Sequence, residues 1–114
     1  MTRSELIASI KTDLGANYNS DDDALLEQIT KEMIMDALYI SNRMHKASEA
    51  DSEAYCTQLD VLAPDVRKAV KSVYLIRGGE DASSQSMSGI SVSFQNAVDV
   101  MTKDIVRSGK RILR

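Results

Sequence analysis

The spacing of apolar residues between positions 20 and 45 most constrains what this chain can fold into. Apolar side chains recur there at intervals of three or four residues: Leu26, Ile29, Met33, Ala37, Ile40 and Met44. These intervals place the side chains on one face of an α-helix. We therefore expect a long helix that starts after Ser20 as its N-cap, ends near Met44 or His45, and buries this face in an intramolecular core.

Two more helices are predicted from the same periodicity and from residues that favour helix ends. The first covers about residues 2–14, and Gly15 is suited to the left-handed conformation that commonly follows a helix. Another begins near Pro64, because proline is well tolerated in a first helical turn, and ends at the glycine pair 78–79. Residues 46–60 are ambiguous, and we interpret them as a loop or an exposed turn of helix with a short apolar patch.

A long polar segment separates this third helix from a fourth. Residues 79–95 contain small polar residues followed by Ile90-Ser91-Val92-Ser93-Phe94, in which apolar and hydroxyl side chains alternate. Alternation with a period of two is typical of a half-buried β-strand. We predict an extended arm with one short strand, which either pairs with a neighbouring subunit by strand addition or packs across the helices of its own domain.

The fourth helix is predicted over about residues 96–108. Its apolar face is formed by Phe94, Val98, Met101 and Ile105. Gly109 then ends the helix and opens a short basic and apolar tail at residues 109–114. The predicted fold class is all-α, with residues 1–114 as a single small domain of four helices and a long extended arm between the third helix and the fourth.

Charge is distributed unevenly along the chain. The 114 residues carry a formal net charge of −3. The first 60 residues contain five basic and twelve acidic residues, so their net charge is −7. Residues 61–114 contain nine basic and five acidic residues, so their net charge is +4. Opposite charges on the two halves suit contacts between copies of the chain, although two solvated helix surfaces explain them equally well. The net acidity disfavours tight binding to a nucleic acid backbone.

No residue pattern predicts catalysis, and we expect a non-enzyme without cofactors and without a metal site. The single Cys56 excludes an intramolecular disulfide and is interpreted as an ordinary helix residue. His45 has no partners at metal-ligand spacing and is expected at the surface. No apolar run reaches the ~20 residues that span a bilayer, and no signal-peptide pattern is present, so we expect no membrane contact and a cytoplasmic location.

Motifs in the second half of the chain resemble the head–tail connector proteins, also called adaptor or head-completion proteins, of long-tailed bacteriophages. In order, these motifs are Tyr74 with Arg77-Gly78 and Glu80, Ser83-Ser84-Gln85-Ser86, Ser88-Gly89-Ile90-Ser91-Val92-Ser93-Phe94, and Gly109-Lys110-Arg111-Ile112-Leu113. A short first helix followed by an acidic-capped second helix is also similar. The chain departs from the family pattern at Asp81, where many members have glycine, and at Ser88, where many have the first of two glycines.

The resemblance implies a structural virion protein that assembles as a ring of typically about twelve copies beneath the portal. Such a ring extends the DNA channel, touches the DNA passively, and gives the stopper or tail-completion protein a docking surface. The implied location is the head–tail junction of the virion, and the host cytoplasm during assembly. By the same resemblance, the arm contacts the adjacent subunit through Ser86, Ser88, Gly89, Ile90, Val92 and Phe94. The tail is implied to bind the portal protein through Gly109, Lys110, Arg111, Ile112 and Leu113.

The alternative is a small helical regulatory protein that binds a protein partner or DNA through a basic face of the third helix. Arg67, Lys68 and Lys71 form that face. It lacks interleaved aromatic residues for stacking on bases, and the connection after Gly78-Gly79 is too long for a helix-turn-helix.

Overall fold

The computed structural model describes residues 1–44, 51–79 and 86–111, and the side chains within those ranges except for 76–79 and 86–93. Four α-helices make up most of this part: α1 (Arg3–Leu14), α2 (Asp23–Ile40), α3 (Glu53–Gly79) and α4 (Ser86–Arg107). Two short 3-10 helices connect α1 to α2, Gly15–Asn17 and Ser20–Asp22. The described part contains no β-strand. The predicted all-α class with four helices is confirmed.

The core lies around α3, which contacts each of the other three helices. Buried side chains of α3 include Leu59, Leu62, Val66, Val70 and Val73. They form one cluster with buried residues of the other helices, among them Leu6 and Ile10, Leu26, Met33 and Ile34, and Met101 and Ile105. The apolar stripe of α2 is therefore core, as predicted, and removing this surface from water is the main stabilising contribution to the fold.

α1 has the predicted ends. The Thr2 hydroxyl accepts a hydrogen bond from the Glu5 backbone N–H at 3.1 Å, and the Glu5 carboxylate accepts one from the Thr2 backbone N–H at 2.9 Å. This reciprocal arrangement is a capping box. The hydrogen bonds that Thr2 makes with the carboxylate lower the pKa of Glu5. The helix ends at Leu14, after which Gly15 adopts a positive φ of 54°.

The connection between α1 and α2 is tied to α3 by a buried tyrosine. The Tyr74 hydroxyl donates to the Asp22 carboxylate at 2.7 Å and accepts from the Asn19 backbone N–H at 3.0 Å. The predicted N-cap of α2, Ser20, is wrong. Ser20–Asp22 forms a 3-10 turn that is capped by the Asn19 side chain. One of the three consecutive aspartates thus serves a tertiary contact.

α2 ends at Ile40, earlier than its apolar stripe predicts. Asn42 adopts a positive φ of 60°, which turns the chain out of the helix. The Asn42 N–H donates to the carbonyl of Tyr39, and the Arg43 N–H donates to the carbonyl of Leu38, at 3.1 and 2.8 Å. These two bonds define a Schellman motif, in which asparagine replaces the usual glycine.

α3 is longer than predicted, because it begins at Glu53 and not near Pro64. Its first two turns bury Tyr55 and Leu59, so the apolar patch predicted in this region belongs to the core. Pro64 lies inside the helix, on its exposed side. The predicted end at the glycine pair is confirmed, since the helix extends to Gly79.

α4 begins at Ser86 and includes residues 90–94, so the predicted strand is not observed. The reason is visible in the sequence, where Ile90, Phe94, Ala97, Met101 and Ile105 follow one another at spacings of four, three, four and four. A helix satisfies this pattern as well as a strand satisfies the short alternation. Residues 80–85 of the predicted arm lie outside the described residues. The predicted break after α4 is confirmed by a φ of 73° at Gly109.

Candidate interaction surfaces

A shallow groove lies between α3 and α4 on the solvent side of the bundle. Its floor includes Ala69, Ala97 and Met101, and Val100 stands at its edge with 48% of its surface exposed. The two alanines are too short to fill the seam between the helices, which leaves a volume of about 120 Å³. We call this feature the α3–α4 groove. An apolar floor that is open to solvent can accept a protruding side chain of a partner.

The α3–α4 groove is lined by charged residues of both signs, Asp65, Lys68 and Asp104. Lys68 Nζ lies 3.0 Å from Asp104 Oδ2 across the groove, which neutralises one pair. Lys103 and Arg107 follow Val100 at three and seven positions along α4, on the same side of that helix, and both are exposed. Asp65 also lines the groove and pairs with Lys110 at 2.7 Å, so the lining residues themselves carry no excess of positive charge.

The exposed face of α2 carries a second apolar feature, which we call the α2 surface. Met35 and Tyr39 lie one helical turn apart, with 60% and 76% of their surfaces exposed. Asp23, at the start of the same helix, pairs with Lys11, and the other charged side chains of α2 are Glu27, Lys31, Glu32 and Asp36. Partial burial, and then the nearby negative charge of Glu32, raise the pKa of the Asp36 carboxyl. The α2 surface is thus apolar at its centre and acidic around it.

The α2 surface and the α3–α4 groove face different directions. α2 packs against both α3 and α4, so its exposed side points away from that pair. The groove residues Val100 and Lys68 are exposed as well, so they point away from α2. The two features therefore cannot meet within one molecule.

A polar cluster that we call the C-terminal clamp joins the ends of α2 and α4 to the middle of α3. Arg43 donates to the Lys110 carbonyl from Nε at 3.2 Å and from Nη2 at 2.6 Å, and from Nη1 to Gln58 Oε1 at 2.5 Å. Lys110 Nζ lies 2.7 Å from Asp65 Oδ2, and both side chains are largely buried. The clamp fixes the point at which the C-terminal tail leaves the bundle.

Part of the predicted portal-binding tail is engaged within its own domain. Gly109 closes α4, since its N–H donates to the Val106 carbonyl at 3.2 Å. Lys110 belongs to the C-terminal clamp, whereas Arg111 is exposed. Ile112 and Leu113 lie outside the described residues.

The predicted subunit-contact residues lie in or next to the first turns of α4. Phe94 is partly buried and packs against the core of its own domain. The structure describes the remaining ones by backbone alone, and all are helical: Ser86, Ser88, Gly89, Ile90 and Val92. The predicted contact with an adjacent subunit therefore stays a prediction for those five residues.

The basic face of α3, on which a DNA-binding function would depend, is paired with carboxylates of the same chain. Arg67 Nε and Lys71 Nζ lie 3.3 and 3.4 Å from Asp13 Oδ2. Lys68 pairs with Asp104 across the groove. These pairs reduce the positive charge that a phosphate backbone would meet, so the geometry does not favour the DNA-binding alternative.

Sequence reasoning missed both surfaces and the clamp. A signal for the α2 surface is present, because Met35 and Tyr39 are apolar residues at helical spacing that fall outside the buried stripe. Val100 lies outside the apolar face of α4 in the same way. The clamp had no sequence signal, since Arg43 and Lys110 are 67 positions apart and meet only in the folded bundle.

Within the described ranges, no three His, Cys, Asp or Glu side chains are grouped so as to hold a metal ion. Cys56 is a free, partly exposed thiol on α3, and His45 lies outside those ranges. Among the described helices, none combines the length and the hydropathy that crossing a bilayer requires.

No protein-family model, no curated protein and no solved structure matches this chain. The resemblance to connector proteins therefore rests on the motifs in residues 74–94 and 109–113.

Proposed function

We propose that this protein is a structural phage virion protein, a ring-forming adaptor below the portal that extends the DNA channel and joins the head to the stopper or tail. The observation that carries the proposal is the presence of two separate exposed apolar features, the α2 surface and the α3–α4 groove, on one small helical domain. A subunit of a ring needs two contact surfaces that face different neighbours. The sequence motifs named above support the same function.

Contact with channel DNA is passive in this proposal. The chain carries a net charge of −3. On α3, the basic side chains of Arg67, Lys68 and Lys71 have carboxylate partners at 3.0 to 3.4 Å. A wall of this kind offers few free cations to phosphates, so DNA can move past it without being held.

The arm and the tail keep their implied roles in a modified form. Ser86, Ser88, Gly89, Ile90 and Val92 contact the adjacent subunit from the first turns of α4 and not from a strand. The portal contact is assigned to the part of the tail that follows Arg111, because Lys110 is held by the C-terminal clamp. Both assignments rest on the resemblance.

Co-sedimentation with the portal ring encoded by the same phage tests this proposal. The full chain is compared with a chain that ends after Arg111 and with a chain that ends after Ser108. The first truncation removes only residues 112–114 of the tail, whereas the second removes the whole tail, including the Lys110 carbonyl that Arg43 binds. We expect stoichiometric binding of the full chain, binding at least ~10-fold weaker for both truncated chains, and a lower Tm only for the chain that ends after Ser108.

Each outcome has a defined meaning. If the full chain does not bind the portal ring, the adaptor function is wrong. If binding survives removal of residues 112–114, the adaptor function stands and the portal contact lies elsewhere. Far-UV circular dichroism of both truncated chains separates lost contact from lost folding.

A further inference from the structure

We propose that residues 112–114, the part of the C-terminal tail that follows Arg111, dock in the α3–α4 groove of their own chain and cover its apolar floor. The occupant is identified by the place where the tail leaves the bundle, by the length of chain that follows, and by the apolar side chains of that segment. Docking closes the groove in the free protein, and its consequence for ring assembly rests on the proposed function.

The tail leaves the bundle beside one end of the groove. Asp65 and Asp104 line this end, and the Lys110 ammonium lies 2.7 Å from the Asp65 carboxylate. The Lys110 N–H donates to the Ile105 carbonyl at 3.1 Å, so the chain has turned back beside the last turn of α4 at this residue. Lys110 therefore places the residues that follow it next to the groove.

The tail is long enough to reach the floor of the groove. Met101 lies four residues before Ile105 on α4, which is a rise of about 6 Å along the helix. Residues 111–113 cover about 10 Å when they are extended. The side chains at positions 112 and 113 can therefore contact Met101 and Val100 from the point at which Lys110 leaves α4.

The side chains of the segment suit an apolar recess. Ile112 and Leu113 are adjacent branched aliphatic residues. The floor of the groove includes Ala69, Ala97 and Met101, and its volume of about 120 Å³ accommodates one aliphatic side chain. Removing such a side chain from water is favourable by the hydrophobic effect.

The charges at the groove do not select an ionic partner. The charged residues that line it are paired within the chain, Lys68 with Asp104 at 3.0 Å and Asp65 with Lys110 at 2.7 Å. The lining therefore carries no unpaired charge, and an occupant is selected by its apolar surface. A segment tethered to the edge of the groove is present there at an effective concentration on the order of millimolar, which favours the tail of the same chain over a second molecule.

Portal binding and access to the groove are then coupled. In the proposed function residues 112–114 contact the portal, and a portal that binds only the released tail shifts the population toward molecules with an open groove. An adjacent subunit can then use the groove on the portal and not in free solution. The tail thereby prevents rings from forming away from the portal.

Thiol labelling tests the docking in the absence of any partner. In a Cys56→Ser background, Val100→Cys places a thiol at the edge of the groove, where Val100 is 48% exposed. Its reaction with Ellman's reagent is compared in the full chain and in a chain that ends after Arg111. We expect labelling at least ~5-fold faster in the shortened chain, because the thiol reacts in proportion to the fraction of molecules with an open groove.

Two variants control for effects other than docking. Val106→Cys should react equally in both chains, since Val106 is 52% exposed and lies on another side of the same helix. Leu113→Asp in the full chain keeps the length of the tail and removes its affinity for an apolar floor, so it should accelerate labelling at position 100 as truncation does, whereas added salt should not. Circular dichroism should show unchanged helix content in each protein, because the C-terminal clamp is retained.

Oxidative cross-linking identifies which chain supplies the tail. A protein with both Val100→Cys and Arg114→Cys, in the Cys56→Ser background, is oxidised with copper-phenanthroline. We expect a disulfide within one chain, formed at least ~10-fold faster than the dimer in a mixture of the two singly substituted proteins. A dimer formed from that mixture at an equal rate would show that the tail docks on a second copy and would overturn the inference.

Other results also overturn the inference. Equal labelling at position 100 in the full and shortened chains excludes the groove, and so does protection that persists in the Leu113→Asp variant. Acceleration by truncation at position 106 and not at position 100 places the tail on another side of α4. If the full chain binds the portal ring while position 100 is equally reactive in both chains, the docking is wrong and the adaptor function stands. If position 100 is protected and the portal ring is not bound, the docking stands and the adaptor function is wrong.

Discussion

Asn42 and Gly109 occupy equivalent positions, each one residue after the C-cap of its helix, α2 and α4 respectively. Their φ angles are 60° and 73°, and each begins a pair of backbone hydrogen bonds back to the helix that it follows. In both cases the next residue, Arg43 or Lys110, enters the C-terminal clamp. The two helix ends therefore direct both chain segments to the same polar cluster.

Replacing Gly109 by alanine isolates the conformational cost of this turn. A Cβ at this position would meet no atom within 4 Å, so no steric clash adds to the effect. We expect Gly109→Ala to lower the free energy of unfolding by about 1–2 kcal/mol, because a positive φ is unfavourable for alanine. Gly109→Asn is the matched control and should cost less, as Asn42 illustrates. Urea denaturation measures both, and an alanine variant as stable as the parent would contradict the assignment of this turn.

Asp36 makes stability depend on pH in an unusual direction for a carboxylate. Burial raises its pKa in the folded state above the ordinary value of 3.8, so the folded protein holds this proton more tightly than the unfolded chain does. The stability associated with the neutral acid is present below about pH 4 and is lost as the pH rises through the folded-state pKa. Asp36→Asn should therefore raise Tm at pH 7 and lose this advantage below about pH 4.

Glu27→Gln, at an exposed position on the same helix, is the control for removing one negative charge from α2. Thermal denaturation monitored by circular dichroism compares the two variants. Equal gains at pH 7, or a gain for Asp36→Asn that persists at about pH 3, would contradict burial of Asp36 as the cause.

At the scale of helices, α3 tolerates a proline in its interior. Pro64 cannot donate a hydrogen bond to the carbonyl of Asp60, and its ring crowds that carbonyl. The helix continues across this point because residues on both sides of the proline are buried, Leu59 and Leu62 before it and Val66 and Val70 after it. Tertiary packing here outweighs the local preference for a helix start.

Pro64→Ala should stabilise the protein. The substitution supplies the missing N–H at an exposed position, and we expect the free energy of unfolding in urea to rise by about 1–3 kcal/mol. Ser72→Ala, at another exposed position of α3, is the control and should change stability by less than about 0.5 kcal/mol. A loss of stability in the Pro64 variant would mean that the proline favours the observed helix.

The sequence predicted the buried faces of the helices better than their lengths. The stripe of α2 and the pair Met101 and Ile105 were found, because burial leaves a local period of three to four residues. Pro64 predicts a helix start because proline suits a first helical turn. Residues 90–94 predict a strand because a segment of about five residues fits more than one period. The α3–α4 groove and the clamp depend on residues that meet only after folding, so no local pattern contained them.

At the scale of the whole molecule, part of the charge asymmetry along the chain is used internally. Asp13 of the acidic half pairs with Arg67 and Lys71 of the basic half. Another contact joins the two halves as well, since Arg43 of the acidic half binds the Lys110 carbonyl, and the Lys110 ammonium lies against Asp65 within the basic half. The uneven sequence therefore produces an attraction between helices of one molecule.

Native mass spectrometry of the purified portal ring, incubated with an excess of this protein, would test the adaptor function most directly. We expect one discrete complex in which the number of copies of this protein matches the number that closes a ring on the portal, about twelve. Intermediate complexes should be rare, because each added copy gains a neighbour as well as the portal. A broad distribution of one to a few copies, or no complex at all, would contradict a ring-forming adaptor.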